Sequence, residues 1–308
     1  MALDDSYLQY PERSYGMDHK RYDWSMLSDR KAVAWPEQKT LALWINVNLQ
    51  FYPLNQQGVP FKVPGGMTMP YPDLRHYSLR DYGNRVGLFR VLKALDQYKL
   101  KPTFAVNTRL AERTPYLTAL LKERGDEILC HGYHMDALHY GGQPREQEAE
   151  LVKRALGGLR DLSGQSVSGW LSPAKNESEH TPELLAENGI RYFCDWVNDD
   201  LPYAFRTESG PLVAMPLSTE LDDRFILQNN QHSEASYVEQ MQDACDFLID
   251  EAGRQRGRIL SLTIHPWLLG QPHRIAYLER ALAYIAARPE VWSASASEIV
   301  DCWQLQQG

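Results

Sequence analysis

The chain has 308 residues, 43% hydrophobic and 23% charged, with a net charge of −8 and no dense block of lysine and arginine. A nucleic-acid partner is therefore not expected, because phosphate binding needs a basic face. No apolar run approaches the roughly 18 residues that a membrane span needs, so no membrane partner is expected either. The N-terminus, Met1 to Ser6, is acidic and lacks the basic and apolar stretches of a secretory leader. The four cysteines form no CxxC pair, and together these features predict a reduced, cytoplasmic protein.

Residues 1–39 are rich in Tyr, Asp, Arg and Ser, show no period, and read as an arm packed on the body. Residues 40–308 read as a single domain. Leu41 to Asn48 is a first strand, nearly continuous in apolar residues, the pattern of a parallel strand covered on both faces. From Phe51 to about Tyr82 a Pro- and Gly-broken loop follows, a candidate lid or interface. The chain then alternates. A helix over Val86 to Leu95 precedes a strand at Pro102–Val106. Thr114-Pro115 and Gly125 bracket a helix before the strand Glu127–Cys130. A helix over Leu151 to Leu159 leads to a strand at Val167–Leu171. Thr181-Pro182 to Gly189 is helical, and strands are expected at Arg191–Asp195 and Leu212–Met215. A helix over Val238 to Ile249 precedes the strand Ile259–Ile264. Helix Arg274 to Ala287, a short strand from Val291 and a helix capped by Ser297 end the chain. This β/α alternation predicts an α/β fold, a parallel sheet closed or nearly closed into a barrel, with function at the C-terminal strand ends.

Those ends carry the candidate residues. Asn46 and Asn48 face one side of the first strand and suit binding of carbonyls and amines. His131 and His134 follow the third strand and invite a zinc reading, though a third ligand is not evident. Glu177 lies on the loop after the strand that contains Trp170. Asp195 and Asp200 lie in an acidic stretch after another strand, where an acid can orient or act as a base. His265 ends a very apolar strand just before Pro266 and suits proton transfer to a departing nitrogen.

In these stretches the chain resembles the polysaccharide deacetylase superfamily, the NodB-homology proteins, and looks most like its metal-independent allantoinase and cyclic imide hydrolase branch. The likeness is carried by Asn46-Val47-Asn48, Asp81-Tyr82-Gly83-Asn84-Arg85-Val86-Gly87, His131-Gly132-Tyr133-His134, Gly169-Trp170-Leu171-Ser172-Pro173, the stretch from Cys194 to Tyr203, and His265-Pro266 with Gly270 to Arg274. It implies an irregular (β/α) barrel of about seven parallel strands. Metal-using relatives place Asp-x-Asp where this chain has Asn46 and Asn48, a second histidine where it has Met135, and an arginine where it has Leu171. The resemblance thus implies a hydrolase of non-peptide C–N bonds that works on a small cyclic amide, imide or ureide without a metal. His265 and Asp195 or Asp200 are its catalytic candidates, and Asn46, Asn48, His131, His134, Trp170 and Glu177 its candidates for holding substrate. Two alternatives stay open: a zinc-dependent deacetylase of polysaccharide or amino sugar, with His131 and His134 as ligands, and an inactive barrel that only binds a small molecule. A homo-oligomer is expected.

Overall fold

The computed structural model describes residues 19–27, 30–55, 74–255 and 257–307. Nine strands among these residues form one sheet: β1 (Leu41–Leu49), β2 (Pro102–Val106), β3 (Glu127–Cys130), β4 (Gly169–Trp170), β5 (Tyr192–Phe193), β6 (Tyr203–Arg206), β7 (Pro211–Ala214), β8 (Arg258–Ile264) and β9 (Val291–Ser293). Their order is β6-β7-β5-β4-β3-β2-β1-β8, and β9 pairs with the first residues of β1. Every pairing is parallel except β6 with β7, which is antiparallel. The β6 strand was not expected from the sequence, whose alternation suggested parallel strands alone.

The sheet curls into an irregular barrel that strand pairing does not close between its edges, β6 and β8. The segment after β7 fills the gap. Asp222 bridges to Thr263, and the Ser218 N–H donates to Ser261 Oγ at 3.0 Å. That segment proves decisive for the site.

All nine residues of β1 are buried. Alternation of side chains divides them between two environments. Leu41, Leu43, Ile45, Val47 and Leu49 pack outward against the helices, whereas Ala42 and Trp44 join Leu129, Tyr192 and Val213 inside the barrel. The inner row of β1 therefore runs Ala42, Trp44, Asn46, Asn48, apolar at the bottom and polar at the top. The same phase puts Ile259, Ser261 and Thr263 of β8 inside, with His265 next in the row.

The helices are α1 (Leu74–Tyr82), α2 (Leu88–Gln97), α3 (Thr108–Arg113), α4 (Pro115–Arg124), α5 (Arg145–Ser163), α6 (Thr181–Glu187), α7 (Glu234–Gln255), α8 (Pro266–Leu269), α9 (Ile275–Ala286) and α10 (Ala296–Gln304). The barrel floor is plugged by Ile299, Val300 and Trp303 of α10 and by Trp35 of the arm. Trp35 Nε1 donates to Arg258 O at 2.9 Å, and Arg21 pairs with Glu183 at 2.5 Å, so the described arm residues lie against the body.

Three local expectations need correction. The stretch read as loop up to Tyr82 is helical from Leu74, and 56–73 lie outside the described residues. Thr114 holds the N-cap position of α4 as expected, but its side chain makes no capping bond; Oγ1 donates back to Leu110 O at 2.7 Å. The cap of α10 is Ser295, not Ser297, and Glu298 completes a capping box. A box needs Ser and Glu at the N-cap and N3 positions, and the pair fits only when the helix starts at Ala296.

α1 and α2 join through a π-helical turn, Gly83–Gly87. Its glycines have a packing reason. A Cβ on Gly87 would sit 2.0 Å from Pro266 O, and one on Gly83 would sit 2.6 Å from the Trp267 backbone nitrogen. The helix can thus seat directly on the backbone that follows His265.

Candidate active site

Two hydrogen-bonded chains of side chains meet at the mouth of the barrel. The first runs through His265. Its ring Nδ1 lies 2.6 Å from Asp223 Oδ1, and its backbone N–H donates to Asp223 Oδ2 at 2.7 Å. A carboxylate only accepts, so Nδ1 carries the hydrogen and Nε2 keeps its lone pair. The Asn48 amide donates to that Nε2 at 3.0 Å, and Asn48 Oδ1 accepts from Asn46 Nδ2 at 2.8 Å. Asp223 is fully buried, which pushes its carboxyl up from the usual range; the N–H donors of His265 oppose the shift. The turn bearing Asp223 is fixed by Asp222, whose Oδ1 accepts the backbone N–H of Arg224 at 2.8 Å and of Phe225 at 3.3 Å.

The second chain runs through His131. Its Nδ1 donates to Leu171 O at 2.8 Å, because a carbonyl can only accept. Nε2 is then the acceptor and takes a hydrogen from Gln50 Nε2 at 3.1 Å, while Gln50 Oε1 accepts from Tyr52 OH at 3.2 Å. Burial pushes the His131 imidazole down to about 4, so the ring is neutral at pH 7. On the far side of the same peptide unit, the Ser172 N–H donates to Asp195 Oδ1 at 2.7 Å. Asp195 Oδ2 and Glu177 Oε1 are buried and receive no donor, while Glu177 Oε2 accepts from Trp196 Nε1 at 2.9 Å. Burial pushes both carboxyls up, and Glu177 is raised further by the charge of Asp195.

Between the two chains lies a cavity of about 430 Å³, lined by Asn48, Gln50, His131, Met135, Lys175, Asp195, Arg224 and His265 among others. Of the residues singled out in the sequence, Asn48, His131, Asp195 and His265 line it. Asn46 lies beneath Asn48 and touches the cavity only through it. Glu177 sits behind Asp195. Trp170 belongs to the outer layer, because it is out of phase with the inward-facing Leu171, and its Nε1 donates to Ser172 Oγ at 2.8 Å. His134 turns away after Gly132, whose φ of 65° swings the chain; its Nδ1 accepts the Asp136 N–H at 3.2 Å. Asp200 is off the cavity, in the charge field of Asp199, Glu251, Arg258 and Arg30. It is therefore not the partner of His265, and neither is Asp195. That partner is Asp223. Its signal in the sequence is only the acidic pair Asp222-Asp223 after a short apolar run, and nothing local aims it at His265.

The side chains immediately around His131 do not suit a divalent metal. Around His131 they are the amides of Asn48 and Gln50 and the thioether of Met135, with the one free imidazole nitrogen already accepting a hydrogen. Zinc takes thiolate, imidazole or carboxylate, and harder cations take oxygen anions. His134 is not brought to His131, so that fallback ligand pair does not form. Among the described residues one group, Asp222, Asp223 and His265, comes close enough to suggest a cation. There, both oxygens of Asp223 and the Nδ1–H of His265 are spent on one another.

The profile of the family Polysaccharide deacetylase matches residues 77–193. The crystal structure of PuuE allantoinase superposes with a TM-score of 0.82 at 26% identity, covering 92% of this chain and 98% of that one. A structure from Pseudomonas aeruginosa PAO1 described as a "probable polysaccharide deacetylase" gives 0.83 at 25% identity, over 92% and 99%. A peptidoglycan deacetylase of Helicobacter pylori is 23% identical over 253 residues, 71% of this chain and 84% of its own. Residues 77–193 thus carry a polysaccharide deacetylase domain, and the fold around them is that of the NodB-homology superfamily. The chain is of the deacetylase- and allantoinase-like kind, hydrolases that act on carbon–nitrogen bonds other than peptide bonds. No helix among the described residues is long and apolar enough to cross a membrane.

Proposed function

We propose that the chain hydrolyses a small cyclic amide, imide or ureide, with His265 as the proton carrier and no metal in the reaction. The observation that carries this reading is the directional chain Asn46, Asn48, His265, Asp223, which supplies a base where metal-using relatives have a carboxylate and a cation. Once the Asn48 amide turns from His265 Nε2 to the substrate, that nitrogen takes a proton from water as the water adds to the ring carbonyl. Asp223 holds the imidazole in one tautomer and stabilises the imidazolium that forms. When the C–N bond breaks, the same Nε2 returns the proton to the leaving nitrogen. The Asn48 and Gln50 amides each keep a second N–H, which can polarise the carbonyl as charge gathers on its oxygen. Neutral His131 has no N–H facing the cavity and its Nε2 lone pair is taken by Gln50, so its part is to hold Gln50. A cavity of about 430 Å³ suits one small ring.

The test is a panel of allantoin, hydantoin, dihydrouracil, succinimide, maleimide and acetylated chitooligosaccharides, run with metal analysis of protein purified without added metal. Turnover of a cyclic substrate that survives chelation, and is lost in His265→Ala, is expected. Turnover of the sugar alone, or activity removed together with stoichiometric zinc, overturns the reading. If nothing is turned over, the chain is an inactive barrel.

A further inference from the structure

One cation behind the cavity touches both hydrogen-bonded chains. Arg80 is the one buried residue of α1, and every other residue of that helix is partly or fully exposed. The helix thus buries a charge where a surface helix ordinarily buries an apolar stripe. The Arg80 guanidinium carbon lies 4.1 Å from the centre of the Trp267 ring and 4.9 Å from that of Tyr52. A guanidinium is planar and weakly hydrated, and it is drawn to the negative faces of aromatic rings most strongly where water is excluded.

The two rings serve different chains. Tyr52 OH donates to Gln50 Oε1 at 3.2 Å, and Gln50 Nε2 donates to His131 Nε2 at 3.1 Å. Trp267 stands two residues after His265, and their rings are 5.6 Å apart at 60°. Arg80 therefore reaches His131 through Tyr52 and Gln50, and His265 through Trp267, without itself lining the cavity.

The helical unit that carries Arg80 also grips the backbone at both places. Asn84 of the π-helical turn donates from Nδ2 to Gln50 O at 2.9 Å, and Arg90 of α2 donates from Nη1 to Gly270 O at 2.8 Å. Each of these fixes the main chain on one side, after β1 or after α8. Arg80 joins the side chains of the two sides to each other.

We propose that Arg80 is a positioning residue, which ties Tyr52 to Trp267 and so holds the Gln50 amide and the His265 imidazole at one separation across the substrate. The proposal rests on the cyclic-amide reading for what those groups do, Gln50 at the carbonyl oxygen and His265 with the proton. The tie itself rests on the ring contacts. A carbonyl donor and a base must be in place at the same moment, and a small misplacement of either is enough to slow the reaction.

The test records the ring-nitrogen NMR signals of the intact protein labelled with ¹⁵N-histidine. Arg80→Met removes the charge and keeps much of the length. The signals of His131 and His265 are expected to shift together, while those of His139, held on Glu148, stay in place. Arg80→Lys keeps a cation at the rings and should return most of both signals, a rescue that general loosening would not give. Trp267→Leu should move the His131 signals as well as those of His265, and move His131 no further when combined with Arg80→Met. For any cyclic substrate that the wild type turns over, kcat of Arg80→Met should fall about a hundredfold with little change in KM. A wild type that turns over none of them sinks the hydrolase, and the NMR signals still decide the tie. Unmoved His131 or His265 in Arg80→Met, or shifts that spread equally to His139, overturn the proposal. If Arg80→Met does not fold, an unmoved His131 in Trp267→Leu overturns it instead.

Discussion

Asp223 accepts two hydrogen bonds from one residue, the ring Nδ1–H and the backbone N–H of His265, at 2.6 and 2.7 Å. Both oxygens of the carboxylate are thereby spent on a single imidazole, setting its position and its tautomer together. Asp223→Asn places an amide NH₂ against one of those two N–H groups, so the ring must turn or change tautomer. We expect kcat to fall by roughly 10²–10⁴ with little change in substrate binding. The double variant with His265→Gln should be scarcely worse than the poorer single one, because the pair acts as a unit. Losses that multiply would show that Asp223 works apart from His265.

Gly87 decides where His265 stands from outside the cavity. Adding a methyl puts carbon 2.0 Å from Pro266 O, and Gly270 presses on the same place. Gly87→Ala should cost about 1–3 kcal/mol, the usual range for overpacking, and lower kcat as Pro266 carries His265 away. Urea denaturation and steady-state kinetics check this, and a variant unchanged in both would mean that the 266–270 loop yields freely.

His131 links stability to pH. Its folded-state value is pushed down to about 4 by burial, against roughly 6.5 in the unfolded chain. Between these values the unfolded state binds more protons, so stability falls as pH falls. The contribution is fully present above about pH 6.5 and gone near the folded value. A span of this size corresponds to about 3 kcal/mol. His131→Gln should flatten the stability profile over that window when compared with the wild type by denaturant titration; parallel profiles would contradict the assignment.

Glu148 is the structural counterpart of these site residues. Fully buried, it accepts from His139 Nδ1 at 2.9 Å, from Thr181 Oγ1 at 2.5 Å and from Ser178 Oγ. Burial pushes its carboxyl up, but hydrogen bonds from these three partners outweigh burial and the net shift is downward. Its stabilising contribution is therefore present above the ordinary glutamate range and lost as pH falls through the lowered folded value. Glu148→Ala leaves the Nδ1–H of His139 and the hydroxyl hydrogens of Ser178 and Thr181 buried without their acceptor, a loss of about 3–5 kcal/mol. It should lower the denaturation midpoint steeply and loosen the loop that carries Glu177.

Restoring the missing ligands should create a metal site. Asn48 and Met135 line the same cavity as His131, and they stand where metal-using relatives place a carboxylate and a second imidazole. Asn48→Asp combined with Met135→His is expected to take up stoichiometric zinc on dialysis, and the wild type to take up much less. Equal uptake by both proteins would show that the natural residues already suffice.

Much of the frame was legible in the residues. The strands Pro102–Val106 and Glu127–Cys130 lie where expected, as does the polar tip of β1, because apolar runs and alternation are local properties of the chain. His265 at the end of β8 follows from the same local logic. The antiparallel β6–β7 hairpin, the outward face of Trp170 and the displacement of Asp200 do not, since each depends on how the sheet curls and in which phase a very short strand joins it. Above all, the partner of His265 lies 42 residues earlier in the chain, on a segment after β7 that enters no regular strand and only bridges to β8. Sequence by itself determined a barrel with a histidine at its mouth, because periodicity is encoded residue by residue. Tertiary structure alone decided which carboxylate holds that histidine, because curling the sheet brings together residues that no spacing along the chain relates.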